Sequence, residues 1–190
     1  MKILLLDGSC EGDNILKNAH SFIKQHFENK NCDIKSFILR DINILHCLGC
    51  YKCWTKTPGI CFQKDVGMEI VYAAAQSDFW VFLTPVTYGG YSQHLKKALD
   101  RISLPLLLPS FIAIDGETHY NVRYKNKIGL VVFGSTNIKD QEQESIFANL
   151  VCRNSINLSN KPASSKILFD NYKEDSIIKI LTDVLEESGV

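Results

Sequence analysis

KILLLDGSCEGDNILKNAHSFIKQHF, residues 2–27, decides the fold. KILLL (2–6) carries an unbroken apolar run, as a strand covered on both faces requires; a half-exposed strand would alternate. DGSCEGDN (7–14) is rich in Gly, Asp, Ser and Asn, the residues of a turn. After it Ile15, Leu16, Ala19, Phe22, Ile23 and Phe27 recur at helical spacing, with Asp13 or Asn14 placed to cap the helix. A buried strand running through a glycine turn into an amphipathic helix is the opening unit of an α/β protein.

The same unit returns along the chain. DIKSFIL (33–39), FWVFL (79–83) and IGLVVF (128–133) read as further strands. The fifth is either INL (156–158) or KILF (166–169). Helical spacing marks Met68, Val71, Ala74 and Ala75, then Tyr91, Leu95, Ala98, Leu99 and Ile102. It marks Ile146, Phe147, Leu150 and Val151, and finally Ile177, Ile178, Leu181, Val184 and Leu185. Alternation of this kind predicts the α/β class: a doubly wound three-layer sandwich around a parallel five-stranded sheet. It is expected as one domain over residues 1–190, with a cysteine-rich loop at 46–63 and a long irregular insertion at 105–127. Ligands of such sheets lie beyond the carboxyl ends of the strands, where strand order reverses. Loops 7–14, 84–90 and 134–138 occupy that rim, and the cysteine loop is expected there too.

Composition narrows the function. The 190 residues are 45% apolar and 22% charged, an ordinary globular balance. Lys plus Arg and Asp plus Glu both number 21, so no net field draws nucleic acid or an anionic membrane. The N-terminal apolar run is too short for a secretory or membrane segment, and LPLLLPSFIAI (104–114) is divided by prolines. The expected location is the cytoplasm, where cysteines stay reduced or ligate a cofactor.

GSCEGDN (8–14) offers a glycine turn, a hydroxyl and backbone amides at a helix start, the parts that hold a phosphate. The same residues also make a plain capped turn, and the spacing is neither a Walker A motif nor GxGxxG. In TPVTYGGYSQHLKKALDR (84–101), Pro85 fixes one backbone angle and Gly89–Gly90 lets the chain approach a flat ligand. Tyr88 and Tyr91 either flank that ligand or, for Tyr91, join the core.

Taken with LGCYKCWTKTPGIC, DGETHYNVRY and VVFGS (132–135 carry its last four residues), these stretches resemble the flavodoxin-like FMN-binding oxidoreductases. That group includes NAD(P)H-dependent FMN reductases, multimeric flavodoxins and iron–sulfur flavoproteins. The resemblance implies a flavodoxin-like fold and FMN as cofactor. It implies that Ser9, Asn14 and the amide of Ile15 hold the phosphate. Pro85, Val86, Thr87, Tyr88, Gly89 and Gly90 would support the ribityl chain and one edge of the ring, and Gly134 and Ser135 would approach it from the third loop. The implied activity passes a hydride from NAD(P)H to FMN, then electrons to a quinone, free flavin, nitro compound or redox protein. No catalytic side chain, no Ser-His-Asp set and no catalytic metal is expected. Assembly as a homodimer or homotetramer is implied.

Two departures matter. Glu11 stands where the group usually has a basic residue, and Ile15 where Ser or Thr is common. An acid near a dianionic phosphate weakens binding unless it points to water, so FMN is expected to be held loosely. Cys47, Cys50, Cys53 and Cys61 have the spacing CxxCxxCx7C, which suits a four-iron cluster, structural zinc, redox thiols or a loop without metal. A cluster would make the chain an iron–sulfur flavoprotein relaying single electrons; an electron carrier without NAD(P)H activity is the remaining alternative. Trp54 reads either as a wall of the substrate pocket or as packing under the cysteine loop. His119 reads as a solvent-facing loop residue or, with Tyr120, as a flavin cover. Cys32 and Cys152 are expected to pack, and Asp65 to cap a helix.

Overall fold

A computed structural model describes residues 1–114, 116–124, 127–158 and 162–190. Strand β1 (Lys2–Asp7) leads to helix α1 (Asn14–Asn29), then β2 (Asp33–Ile38), the short α2 (Lys52–Thr55), α3 (Gly67–Gln76) and β3 (Phe79–Pro85). Next come α4 (Gln93–Leu106), β4 (Leu107–Ile114), β5 (Glu117–Val122), β6 (Gly129–Thr136), α5 (Gln141–Asn157), β7 (Ser164–Phe169) and α6 (Glu174–Glu187). Five strands pair in parallel in the order β2-β1-β3-β6-β7, so strand order reverses between β1 and β3. This is the flavodoxin-like three-layer sandwich.

Alternation along the strands builds two cores. Leu4, Leu6, Trp80, Phe82, Leu130 and Val132 face α3, α4 and α5. Ile3, Leu5, Val81, Leu83, Val131 and Phe133 face α1 and α6. Ile3 to Leu6 are completely buried, which at roughly 1.5–3 kcal/mol per side chain makes β1 the main anchor. Asp13, rather than Asn14, caps α1: its carboxylate accepts from the Leu16 amide at 3.0 Å. KILF lies within β7 and is the fifth strand, whereas Ile156 and Asn157 belong to the last turn of α5.

Three details correct the reading above. The stretch 105–127 is largely regular: β4 and β5 form an antiparallel hairpin, with Phe111 opposite Tyr120 and Gly116 (φ +81°) at its tip. Gly at such a tip adopts a positive φ without strain. His119 is buried rather than solvent-facing, because its ring lies against Asn157 at 2.9 Å and Glu117 at 3.4 Å. Cys152 is exposed, since the packed stripe of α5 is Phe147, Val151 and Ser155.

The cysteine loop also leaves the rim. Buried Arg101, in the third turn of α4, forms two bonds to the Asp65 carboxylate at 2.6 and 2.9 Å and a third to the Leu45 carbonyl at 2.8 Å. Asp65 also accepts from the Leu45 amide at 2.7 Å, so its carboxylate clamps both ends of the loop to α4 instead of serving chiefly as a cap. Burial pushes the Asp65 carboxyl up, but the Arg101 hydrogen bonds, the Leu45 amide and the Arg101 charge outweigh it and hold the group below its ordinary value. A depressed carboxyl stabilises the fold above about pH 4 and loses that contribution as pH falls through its folded value. Asp65→Asn is expected to cost about 3–5 kcal/mol at neutral pH by stranding the buried guanidinium. Urea unfolding should show this gap closing on acidification; a gap independent of pH would refute the clamp.

Candidate active site

Ser92 fastens the first two rim loops together. Its hydroxyl donates to the Gly8 carbonyl at 2.6 Å and accepts from the Leu95 amide at 3.2 Å, capping α4. Its own amide donates to the Thr84 hydroxyl at 2.8 Å. The third loop joins through the Val86 amide, which donates to the Ser135 carbonyl at 2.8 Å. Gly134 allows this approach, because a Cβ there would sit 2.5 Å from a Val86 methyl.

The loops enclose a cleft of about 480 Å³ at the point where strand order reverses. That lies within the roughly 300–1,000 Å³ of ordinary ligand sites. Asn14, Ile15, Pro85, Val86 and Ser135 line it, as do Gly12, Asp13, Thr136, Asn137 and Asp170. Asn14 and Ile15 open α1, so their amides have no acceptor within the helix and are available to a ligand. Gly134 is buried against Val86 and Phe147 and is not itself among the residues that line the cleft.

Other expected residues sit elsewhere. Thr87 and Gly90 exchange backbone bonds at 2.8 and 3.1 Å around Tyr88 (φ +51°) and Gly89 (φ +73°), a tight turn with both central residues left-handed. It leaves Tyr88 91% exposed beside the cleft. Tyr91 belongs to the core: it meets Phe147 edge-on, takes a bond from Asn154, and burial pushes its hydroxyl up to about 12. Ser9 is wholly buried; its amide donates to Asp7 at 2.9 Å and its hydroxyl accepts from Arg40 at 2.6 Å. Glu11 is exposed.

Beneath the first loop, Asp7 binds His20 at 2.8 Å and the other nitrogen of His20 meets the Ser36 hydroxyl at 3.1 Å. Burial pushes the Asp7 carboxyl up, but the bonds from His20 and Ser9 hold it below its ordinary value. The sequence pointed to no Ser-His-Asp set, yet these three are joined in that order. Ser36 lines neither the cleft nor the cysteine cavity, and the chain braces the loop from below.

Two acidic residues of the cleft escaped the sequence reading. Asp13 was visible only as a cap, and Asp170 follows a strand that the sequence left between two candidates. The signal for Asp170 was its position one residue past KILF, on the same rim.

The cysteines form a separate place. Cys47, Cys50, Cys53 and Cys61 line one cavity of about 20 Å³ with Arg101, Leu104 and Pro105, sharing no residue with the cleft. From Ser92 to Arg101 is about 13 Å along the helix axis. Burial raises the Cys53 thiol, and Cys61, Cys47 and Cys50 push it the same way. Among the described residues no three His, Cys, Asp or Glu side chains converge closely enough for a metal ion. Trp54 packs under this loop: its indole N–H donates to the Leu104 carbonyl at 2.6 Å and its ring lies 5.1 Å from both Tyr51 and Tyr120. Neither it nor His119 lines the cleft.

A family model described as NADPH-dependent FMN reductase matches residues 1–153. No curated protein sequence matches the chain. Among solved structures, an NAD(P)H:quinone oxidoreductase from Methanothermobacter marburgensis superposes with a TM-score of 0.69 at 13% identity, over 99% of this chain and 97% of that one. An azoreductase from Bacillus anthracis str. Sterne gives 0.63 at 13% identity, over 99% and 96%. An FMN-dependent NADH-azoreductase from Bacillus anthracis str. Ames Ancestor, in complex with FMN, gives 0.64 at 12% identity, over 98% and 97%. At these identities the likeness establishes the fold.

Ser92→Ala removes the link between the first two loops and one helix cap, and is expected to cost about 1–2 kcal/mol. Thermal unfolding measures it; an unchanged midpoint would show that the rim loops do not depend on this hydroxyl.

Proposed function

The chain belongs to the NADPH-dependent FMN reductase family, and from that premise we propose that it is an FMN-dependent NAD(P)H oxidoreductase. The observation that carries the proposal is the cleft at the strand-order reversal, built from the three rim loops. When bound, FMN supplies the hydride and electron chemistry, which asks the protein for position and electrostatics rather than for a reacting side chain. The amides of Asn14 and Ile15 would meet its phosphate end. Pro85 and Val86 would form the shelf for its ring, with Gly134 flush behind them and Ser135 at the edge. Exposed Tyr88 would stand at the mouth, where a nicotinamide or an acceptor must arrive. These residues fit the flat and hydroxylated parts of the cofactor; its phosphate end meets Asp13 as well as the amides. Ser9 is wholly buried and would reach a phosphate only if the loop moved.

The acceptor is a quinone, free flavin, nitro compound or small redox protein. Solved structures of similar fold include a quinone oxidoreductase and azoreductases, which supports small aromatic acceptors. Assembly as a homodimer or homotetramer is supported by β4, where Phe111 is 62% and Ile112 37% exposed. No described helix is long and apolar enough to cross a membrane.

A second reading rests on the cysteine cavity. Four thiols line it, which favours a cluster, but its 20 Å³ holds about one water-sized sphere, so a four-iron cube requires the loop to open. The first experiment is anaerobic mixing of the flavin-loaded protein with NADH and with NADPH. Bleaching of the flavin bands by either nucleotide, without another protein, is expected. No bleaching by either, with full reduction by dithionite, would make the chain an electron carrier instead. Iron and acid-labile sulfide on the same sample should stay near background; about four of each per chain would establish the cluster.

A further inference from the structure

The mouth of α1 is the natural seat for a phosphate, and in this chain a carboxylate already holds it. One oxygen of Asp13 accepts from the Leu16 amide at 3.0 Å and the other accepts a hydrogen bond from the Ser135 hydroxyl at 2.7 Å. One amide of the first helical turn and the Ser135 hydroxyl are thereby spent on the protein's own anion, which leaves a ligand the amides of Asn14 and Ile15 beside that charge. Asp170 lines the same cleft, and none of the residues lining it is Lys, Arg or His. The cation nearest the loop by hydrogen bonding, Arg40, does not line the cleft: it holds the Ser9 hydroxyl at 2.6 Å and pairs with Asp41 at 3.5 Å. Glu11, the acid that stands out in the sequence, is exposed and leaves this balance unchanged.

A phosphate monoester carries close to two negative charges at neutral pH, with its second proton lost near pH 6. Set beside two carboxylates it meets like charge on a surface without a counterion. A polyol meets the reverse: each hydroxyl is a donor, and charged acceptors make the stronger hydrogen bonds. We propose that Asp13 makes this cleft select an unphosphorylated flavin, held by the hydroxyls of its side chain, over FMN. Asp13 is thus a specificity-determining residue, and a free flavin of the riboflavin class is the ligand the cleft binds best. The inference rests on the flavin-binding reading above and names its ligand class.

The test is equilibrium titration of flavin-free protein with riboflavin and with FMN, followed by quenching of flavin fluorescence. Riboflavin should bind about tenfold tighter than FMN near pH 7.5, and the gap should narrow near pH 5.5 as the phosphate gains its proton. Asn retains capping ability, so Asp13→Asn keeps α1 intact. It should raise FMN affinity about tenfold and leave riboflavin within about threefold. Asp170→Asn should move FMN in the same direction and serves should the first variant fold poorly. FMN binding tighter than riboflavin in the unaltered protein, with the ratio unmoved in both variants, overturns the inference and leaves the flavin reading standing. Failure of both flavins to bind overturns both.

Discussion

The hydroxyl of Ser92 is the contact on which the candidate site depends. It reaches from the start of α4 to the Gly8 carbonyl at the end of β1, across the gap where strand order reverses. Gly8 has to be glycine for this to happen: a Cβ there would lie 2.7 Å from the Leu95 Cβ and 2.8 Å from the Ser92 oxygen. With Thr84 holding the Ser92 amide, two loops that arise from different strands are set at one spacing before any ligand arrives. Preorganisation of this kind lowers the ordering cost of binding. Beneath it, the Asp7–His20–Ser36 chain supports the first loop from the other side.

Helix α4 divides the rest of the molecule. Its first turn belongs to the cleft, and its later turns belong to the cysteine loop and the hairpin. Pro105 lies in the last turn of α4, and the carbonyls of that turn are taken up from outside the helix. Leu104 accepts from Trp54, Pro105 from the Arg123 guanidinium and Leu106 from the Arg123 amide. The two features that the sequence displayed most openly, the glycine-bearing rim loops and the cysteines, are thus built on opposite ends of one rod.

Much of the fold was legible because its signals are local. The apolar runs at 2–6, 79–83 and 128–133 read as doubly covered strands, and the 3.6-residue spacing placed α1, α4 and α6 within a few residues. KILF was ambiguous because a four-residue apolar run carries no periodicity of its own; pairing with β6 decides it. The site was half legible. Asn14, Ile15, Pro85, Val86 and Ser135 meet at one cleft because each sits beside a strand end. Ser9 turned inward because Asp7 and Arg40, 31 residues apart from it in the latter case, offer better partners than solvent. The course of the cysteine loop was invisible because it hangs on Arg101, whose partners lie 36 and 56 residues away. His119 looked like a loop residue until strand pairing brought Asn157 beside it.

The placement of the two tryptophans gives this chain a pair of separate optical reporters. Trp80 is 1% exposed in the central sheet, so its emission follows only the integrity of the core. Trp54 lies where α4, the hairpin and the cysteine loop meet, with tyrosines on both sides. Light from it reports on the thiol end of the molecule while Trp80 reports on the sheet, and replacing either one by Phe isolates the other.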